Sequence, residues 1–216
     1  MKKFAMLLAA GVIALGASAQ AESAESVTYA VITVPVAEGY NFIGVSVAPM
    51  NPSASFADIL GVPGNTSVYQ YDGEGYDDTS AGEVLAVPGA AVLYQAGNAT
   101  NVYEVGVAAQ TATASVDLNT GFTLVANPFA EAWGAAATDL SNNSSRFYDA
   151  NANKIHIWNG AGWTTWWYKA GKNGAAGTWK CKDTSVTDPL SVGAAQAVLI
   201  EKGANHAASV TFTAAQ

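Results

Sequence analysis

The pattern of apolar and polar positions along the chain is that of short β-strands. Residues 27–34 are β-branched and aromatic, as strands prefer. Similar short runs follow at intervals, separated by glycine, asparagine, aspartate and proline, as at Asn159-Gly160. Beyond the first residues no window has a long helical period, so helix is expected only as single turns at 55–60 and 135–140. The pattern predicts an all-β fold built of antiparallel sheets, either a β-sandwich or a Greek-key barrel-like module.

Two parts of the chain resemble each other in order. Residues 34–44 align without a gap on residues 116–126, and a turn with proline follows each stretch. Later in each part small residues precede a predicted apolar strand, and a strand in which apolar and polar residues alternate follows it. Ordered self-similarity of this kind is typical of a duplicated supersecondary unit. We therefore expect two β repeats, residues 22–110 and 111–216, with a tryptophan-rich insertion in the second near 150–185.

The first residues have the pattern of a secretory signal peptide. Lys2 and Lys3 precede an apolar run over residues 4–15, and small residues follow with two overlapping Ala-x-Ala cleavage options. We expect residues 1–21 to be a signal peptide, which implies an extracellular or cell-surface protein, with the periplasm as the alternative. No later apolar run is long enough for a transmembrane helix, so no membrane span is expected.

Charge is distributed unevenly. The chain has 17 acidic and 9 basic residues, for a net charge of −8. No lysine or arginine lies between Glu22 and Ser145, whereas the basic residues of the exported part all follow from Arg146 onward. The acidic part is a poor partner for nucleic acid or an anionic membrane. The segregation favours a head-to-tail contact between copies, and a solvated acidic surface is the alternative.

The tryptophans are confined to the second predicted repeat. All six lie from residue 133 onward. Exposed aromatic side chains stack on sugar rings, which makes this region a candidate polysaccharide site; the alternative is a small core beneath a loop. On one strand, positions 163 and 167 would share a face, with 166 and 168 on the other. The candidate ligand-binding residues are Trp158, Trp163, Trp166, Trp167 and Tyr168.

Two further features are candidates for chemistry. Asp72, Glu74, Asp77 and Asp78 lie within seven residues with glycines between them, and oxygen ligands in such a loop suit Ca²⁺, although a solvated hairpin loop has the same composition. Cys181 is the single cysteine, so no internal disulfide is expected. It is either a small buried residue or a thiol for an intermolecular bond.

No catalytic constellation is recognisable in the sequence. His156 and His206 have no metal-ligand spacing, and the nucleophile-elbow, zinc-protease and phosphate-loop motifs are absent. The sequence therefore predicts no enzyme and no cofactor other than the candidate Ca²⁺.

The second predicted repeat resembles a module type of exported bacterial surface proteins. The resemblance rests on a Gly-aromatic-x-Leu-Val-x-Asn-Pro turn at 121–128, an aromatic Trp-Asn-Gly hairpin at 157–160 and a small-residue lead into a strand at 191–200. The first repeat departs from it, with Val45-Ser46 in place of Asn-Pro. The resemblance implies a secreted or surface β module and assigns no functional residues. Our leading prediction is a non-enzymatic structural protein that self-assembles head-to-tail, and the alternative is a glycan-binding module.

Overall fold

A computed structural model describes residues 27–109, 111–134, 140, 147–171, 177–186, 188–204 and 206–214. The predicted all-β class is confirmed. The first half of the chain forms β1 (Tyr29–Val36), β2 (Gly39–Gly44), β3 (Ala48–Pro49), α1 (Phe56–Leu60), β4 (Ser67–Tyr71), β5 (Tyr76–Ser80), β6 (Ala91–Ala96) and β7 (Thr100–Val107). The second half forms β8 (Thr113–Asp117), β9 (Phe122–Ala126), β10 (Trp133–Gly134), β11 (Lys154–Trp158), β12 (Trp163–Lys169), β13 (Thr178–Cys181), β14 (Ser191–Val192), β15 (Ala197–Glu201) and β16 (Ser209–Thr213).

The strands of the first half form two antiparallel sheets. One sheet has the order β1-β7-β3 and the other β2-β6-β4-β5. Their facing sides bury one hydrophobic cluster, because alternate residues of a strand point to the same face. Phe56 of α1 and Ile43, Val68 and Val92 of the larger sheet are among its most buried members. The arrangement is sandwich-like, and none of the described sheets closes on itself.

The second half has its own sheets and core. Its largest sheet has the order β13-β12-β11-β15-β9, and two-stranded sheets pair β8 with β16 and β10 with β14. Trp133 and Phe212 stack at 5.2 Å between ring centroids inside this second cluster. Ile155 of β11 and Ile200 of β15, which pair in register, are both fully buried there.

The same order of strand pairing occurs in both halves. β1 pairs with β7 as β8 pairs with β16, and the order β2-β6-β4-β5 corresponds to β9-β15-β11-β12. The region of the predicted insertion contains β11 and β12, which hold the sheet positions of β4 and β5. In the large sheets the strand without a counterpart is β13; β3, which pairs with β7, and the pair of β10 with β14 also have no described counterpart. The pairing order agrees with two similar units, although a common origin of the halves stays a prediction.

Register defines which residues hold equivalent positions in the two halves. Leu93 lies opposite Phe42 and Tyr69, and Leu199 lies opposite Leu124 and His156. Phe42 is therefore equivalent to Leu124, and Tyr69 to His156. Gly39 and Gly121, which open β2 and β9, have φ of 95° and 84°. A side chain would be strained in that left-handed region, so the turn requires glycine in both halves.

The described residues contain one short helix. In α1 the backbone N–H of Ser55 donates to a carboxylate oxygen of Asp58 at 2.8 Å, which is half of a capping box. Gly61 ends the helix with φ of 65°. The single turn predicted at 55–60 is confirmed, whereas residues 135–139 of the second predicted turn lie outside the described part. Within the described residues, no helix is long and apolar enough to cross a membrane.

The two halves meet through a symmetric pair of hydrogen bonds. The N–H of Gly44 donates to the carbonyl of Ala195 at 2.9 Å, and the equivalent N–H of Ala126 donates to the carbonyl of Gly89 at 2.9 Å. Gly44 lies so close to Ala126 that a Cβ added to Gly44 would be 2.1 Å from the Cβ of Ala126. The hydroxyl of Ser46 adds a third link, since it donates to the carbonyl of Asn127 at 2.7 Å and accepts from the N–H of Ala195. Small residues at the contact thus allow the halves to pack sheet against sheet.

Candidate functional site

The five predicted aromatic site residues lie on two faces of one sheet. Trp166 is buried and Tyr168 packs against the same core cluster. Trp158 and Trp163 form a register pair on the opposite face, and Trp163 is 39% exposed. Trp167 lies on that face too, half-buried. The alternation predicted for β12 is confirmed, but Trp166 and Tyr168 belong to the core and cannot contact a ligand on the outer face.

The outer face joins an aromatic residue from the first half. Phe42 of β2 lies 4.8 Å from Trp163 and 6.1 Å from Trp158 between ring centroids, and the two indoles are 5.3 Å apart. No local sequence pattern identifies Phe42 as a site residue, because its partners are more than a hundred residues away and contact it only when the halves pack together. These three rings form a continuous aromatic surface across the boundary.

A cleft of about 830 Å³ opens beside this surface. Phe42 and Trp158 line it from the two halves, and its polar lining comes from asparagine, glutamine and threonine side chains. The indole N–H of Trp158 is buried and has no hydrogen-bond partner among the described residues. Donors of this kind are usually paired in folded proteins. The remaining lining residues are Thr33, Val34, Pro35, Val36, Ala37, Asn41, Ile43, Ala99, Thr100, Asn101, Gly160, Gly193, Ala194, Ala195, Gln196 and Ala197.

A second cleft, of about 430 Å³, lies at the equivalent boundary. Leu124 and Tyr71, which correspond to Phe42 and Trp158, line this smaller cleft together with Glu83. The halves therefore form two related clefts, and only the larger one has an indole and a phenyl ring in its wall.

An ionic cluster lies on the outer face of the second sheet. Glu201 accepts a hydrogen bond from the Lys154 ammonium at 2.5 Å and contacts His156 Nε2 at 3.2 Å. Burial raises the pKa of Glu201, but the hydrogen bonds from His156 and Lys154 outweigh it and hold the pKa below its usual value. His156 also contacts the Thr165 hydroxyl at 2.9 Å, so its ring is held between two neighbours.

The acidic residues predicted for Ca²⁺ lie on the β4–β5 hairpin. The Asp72 carboxylate accepts from the N–H groups of Glu74 and Gly75, both at 2.7 Å, and these bonds lower its pKa. Asp72 therefore closes its own turn. Asp77 and Asp78 are successive strand residues and point to opposite faces of the sheet. Among the described residues, no group of three or more His, Cys, Asp or Glu side chains is arranged to hold a metal ion.

The same hairpin places acidic residues on a sheet edge. Within the described residues, β5 has a strand neighbour on one side only, and Asp77 and Asp78 are exposed on it. We call this strand the acidic edge.

The edge of the other large sheet is basic. β13 likewise has one described strand neighbour, and Lys180 and, just beyond it, Lys182 are exposed. We call β13 with Lys182 the basic edge. Cys181 lies between these lysines, but its half-buried side chain packs against the core cluster.

An apolar face lies on the sheet of β1 and β7. Tyr29, Val31, Tyr103 and Val105 are between 50% and 66% exposed. Val31 pairs with Val105 across the strands. The equivalent positions of β8 and β16 are polar, so the fold itself does not require an apolar surface here. Val31, Tyr103 and Val105 correspond to Thr113, Thr211 and Thr213, and Tyr29 corresponds to Thr111, just before β8.

One ionisable residue lies wholly inside the first half. Glu104 of β7 is fully buried, and its Oε2 accepts from the N–H of Ser46 at 2.9 Å while Oε1 has no partner among the described residues. Burial raises the pKa of Glu104 to about 7, and the N–H groups of Ser46 and Val47 offset part of that effect. Its equivalent in β16 is the buried Phe212.

The Asn-Pro turn on which the module resemblance rests has a structural role. Asn127 is fully buried, and its amide donates to the carbonyls of Glu131, Val192 and Gly193 at 2.7 to 3.1 Å. The side-chain Oδ1 of Asn127 accepts from the N–H of Phe129 at 2.9 Å. These hydrogen bonds connect the turn to β14, so Asn127 has a structural role that requires no ligand.

Comparison with known proteins gives no relative. No protein family model, no curated protein and no solved structure matches the chain.

Proposed function

We propose that this chain is a non-enzymatic structural protein that is exported to the cell surface or the extracellular space and assembles head-to-tail. In the proposed contact, the acidic edge of one copy lies beside the basic edge of the next. The observation that carries the proposal is that two strands of opposite charge, β5 and β13, each have a single strand neighbour within the described part of the chain.

Free strand edges favour this contact. An edge strand presents unpaired backbone N–H and C=O groups, which a strand from another copy can satisfy. The acidic edge has five residues and the basic edge four within the strand, so their lengths match. Backbone pairing would supply affinity, and the side chains would select the partner strand.

Charge selects between the edges. Asp77 and Asp78 repel a second acidic edge, and Lys180 and Lys182 repel a second basic edge, whereas the unlike edges attract. An exposed ion pair contributes about 0.2 to 1 kcal/mol, so charge directs the pairing more than it stabilises it. Since the two surfaces differ, the contact is heterologous and produces rings or filaments instead of closed dimers.

Charge reversal with rescue tests the proposal. The protein without residues 1–21 is examined by light scattering and negative-stain microscopy at low and high salt. We expect filaments or rings at low salt that dissociate at high salt, because screening weakens exposed pairs. Asp78→Lys and Lys180→Glu should each abolish assembly, and the two proteins mixed, or the double variant, should restore it. Asp117→Lys, on the exposed side of β8, is the control for net charge and should assemble normally.

Two outcomes would overturn the proposal. A monomer at every salt and protein concentration would remove assembly altogether. Polymers that are insensitive to salt and to both charge reversals would refute the edge contact and direct attention to the apolar face of β1 and β7.

A further inference from the structure

The larger cleft between the halves is built for an uncharged ligand. None of the residues that line it is charged, although the chain carries a net charge of −8. Its volume of about 830 Å³ lies in the range of small-molecule sites in proteins. A charged ligand would find no partner for its charge there, which costs several kcal/mol on burial.

The wall of the cleft combines rings with hydrogen-bonding groups. Phe42 and Trp158 offer ring surface, and the side chains of Asn101, Thr100 and Gln196 offer amides and a hydroxyl. A pyranose ring has the complementary chemistry, since one face carries C–H groups and its rim carries hydroxyls. Lipids lack the rim of hydroxyls, and free amino acids bring charges that the wall cannot pair.

The indole N–H of Trp158 is buried and has no partner among the described residues, although Trp158 itself lines the cleft. The indole N–H of Trp133, inside the second core cluster, is in the same state, so an unpaired indole donor is not peculiar to the cleft. The ring face of Trp158, and not its N–H, is therefore the surface offered to a ligand.

The smaller cleft shows that the fold does not demand these residues. It has Tyr71 in the place of Trp158, Leu124 in the place of Phe42 and the charged Glu83 in its lining. Nothing in the shared pairing order selects an indole at one boundary and a phenol at the other. The larger rings and the missing charge are properties of the larger cleft alone.

We infer from this geometry that the larger cleft binds an uncharged saccharide, with a sugar ring against Phe42 and Trp158 and its hydroxyls beside the amide and hydroxyl side chains of the lining. Trp163 extends the ring surface outside the cleft, so a chain of several sugar units would contact more of the protein than a single unit. Tyr76 of the acidic edge lies 6.2 Å from Phe42 between ring centroids, so the site adjoins that strand, but Asp77 and Asp78 are not among the residues that line the cleft.

The test is binding of neutral oligosaccharides to the protein that lacks residues 1–21. An array of neutral glucans, mannans, xylans, galactans and chitin oligosaccharides is screened, with polygalacturonate as the charged comparison. Binding is then measured by titration calorimetry and quenching of tryptophan fluorescence. We expect saturable binding of at least one neutral oligosaccharide and none of polygalacturonate.

Variants locate the site. Trp158→Ala should weaken binding by about tenfold or more, equivalent to about 1.4 kcal/mol. Ala99→Trp, at an exposed position on the rim, should block the cleft without disturbing the core. Tyr71→Ala removes the equivalent ring of the smaller cleft and should leave binding unchanged. The Asp78→Lys protein, which should remain a monomer, is expected to bind as the unmodified chain does.

Three results would overturn the inference. One is the absence of saturable binding to every neutral glycan on the array. Another is full binding by both Trp158→Ala and Ala99→Trp. The third is an equal loss in Tyr71→Ala, which would place the ligand elsewhere. None of these results bears on edge pairing, so the two proposals fail separately.

Discussion

Glu104 should make the protein less stable as pH rises from 5 to 8. Its carboxyl is fully buried, and only Oε2 is hydrogen-bonded, to the N–H of Ser46. The ionised form is therefore poorly stabilised in the folded chain, while in the unfolded chain it is hydrated. Replacing Glu104 by glutamine keeps an acceptor for Ser46 and removes the ionisation.

The magnitude follows from the difference between the two pKa values. Burial raises the pKa of Glu104 from 4.5 to about 7. Below pH 4.5 both states are protonated and the contribution to stability is fully present. Above pH 4.5 the Glu104 carboxyl ionises in the unfolded chain but not in the folded one, so the free energy of unfolding falls until the folded carboxyl also ionises near pH 7. Each unit of pKa difference is worth about 1.4 kcal/mol, so the complete loss is about 3 kcal/mol.

Urea unfolding at several pH values between 5 and 8 measures this effect. We expect the free energy of unfolding of the unmodified chain to fall by about 2 to 3 kcal/mol over the range. The Glu104→Gln protein should have a flatter profile, whereas Glu83→Gln, which removes an exposed carboxylate, should keep the original slope. Parallel profiles for the unmodified chain and Glu104→Gln would show that the carboxyl is ionised or hydrated in the folded state and would refute the reasoning.

Two further predictions concern packing. Gly44→Ala should destabilise the protein by about 1 to 3 kcal/mol, because the new Cβ meets Ala126 and the halves must separate. Gly97→Ala is the control, since a Cβ at that position has no neighbour within 4 Å. Equal unfolding midpoints for the two variants would contradict the close contact between Gly44 and Ala126. Trp166→Ala should cost about 3 to 5 kcal/mol in denaturant unfolding, and Trp163→Ala, which is 39% exposed and loses only its contacts on the outer face, about 1 to 2 kcal/mol. Similar losses from both tryptophans would mean that the assignment of core and outer face is wrong.

Local pattern determined what the sequence could predict. Alternation in β12 placed Trp163 and Trp166 on opposite faces, because successive strand residues alternate whatever the strand pairs with. The β-branched and aromatic runs identify strands because these side chains favour a strand whichever partner it pairs with. The pattern also located the turn of Ser55 and Asp58, whose capping chemistry is contained within four residues.

Properties that depend on distant pairing could not be predicted. Whether β5 and β13 lie at sheet edges depends on the strand order, which no short window contains. Phe42 meets Trp158 only because Gly44 and Ala126 allow the halves to approach. The burial of Glu104 was equally hidden, since a glutamate in an alternating strand usually faces solvent.

The differences between the halves separate what the fold needs from what it does not. The halves share a pairing order, and positions such as Gly39 and Gly121 keep the residue that the backbone requires. Glu104 replaces the apolar Phe212 at a buried position, which lowers stability at neutral pH. A fold that accepts phenylalanine at one such position has no need of a carboxylate at the other. The buried carboxyl contacts Ser46, whose hydroxyl links the halves beside the larger cleft. Glu104 inside the first half is thus connected, through Ser46, to the boundary where the proposed ligand would bind.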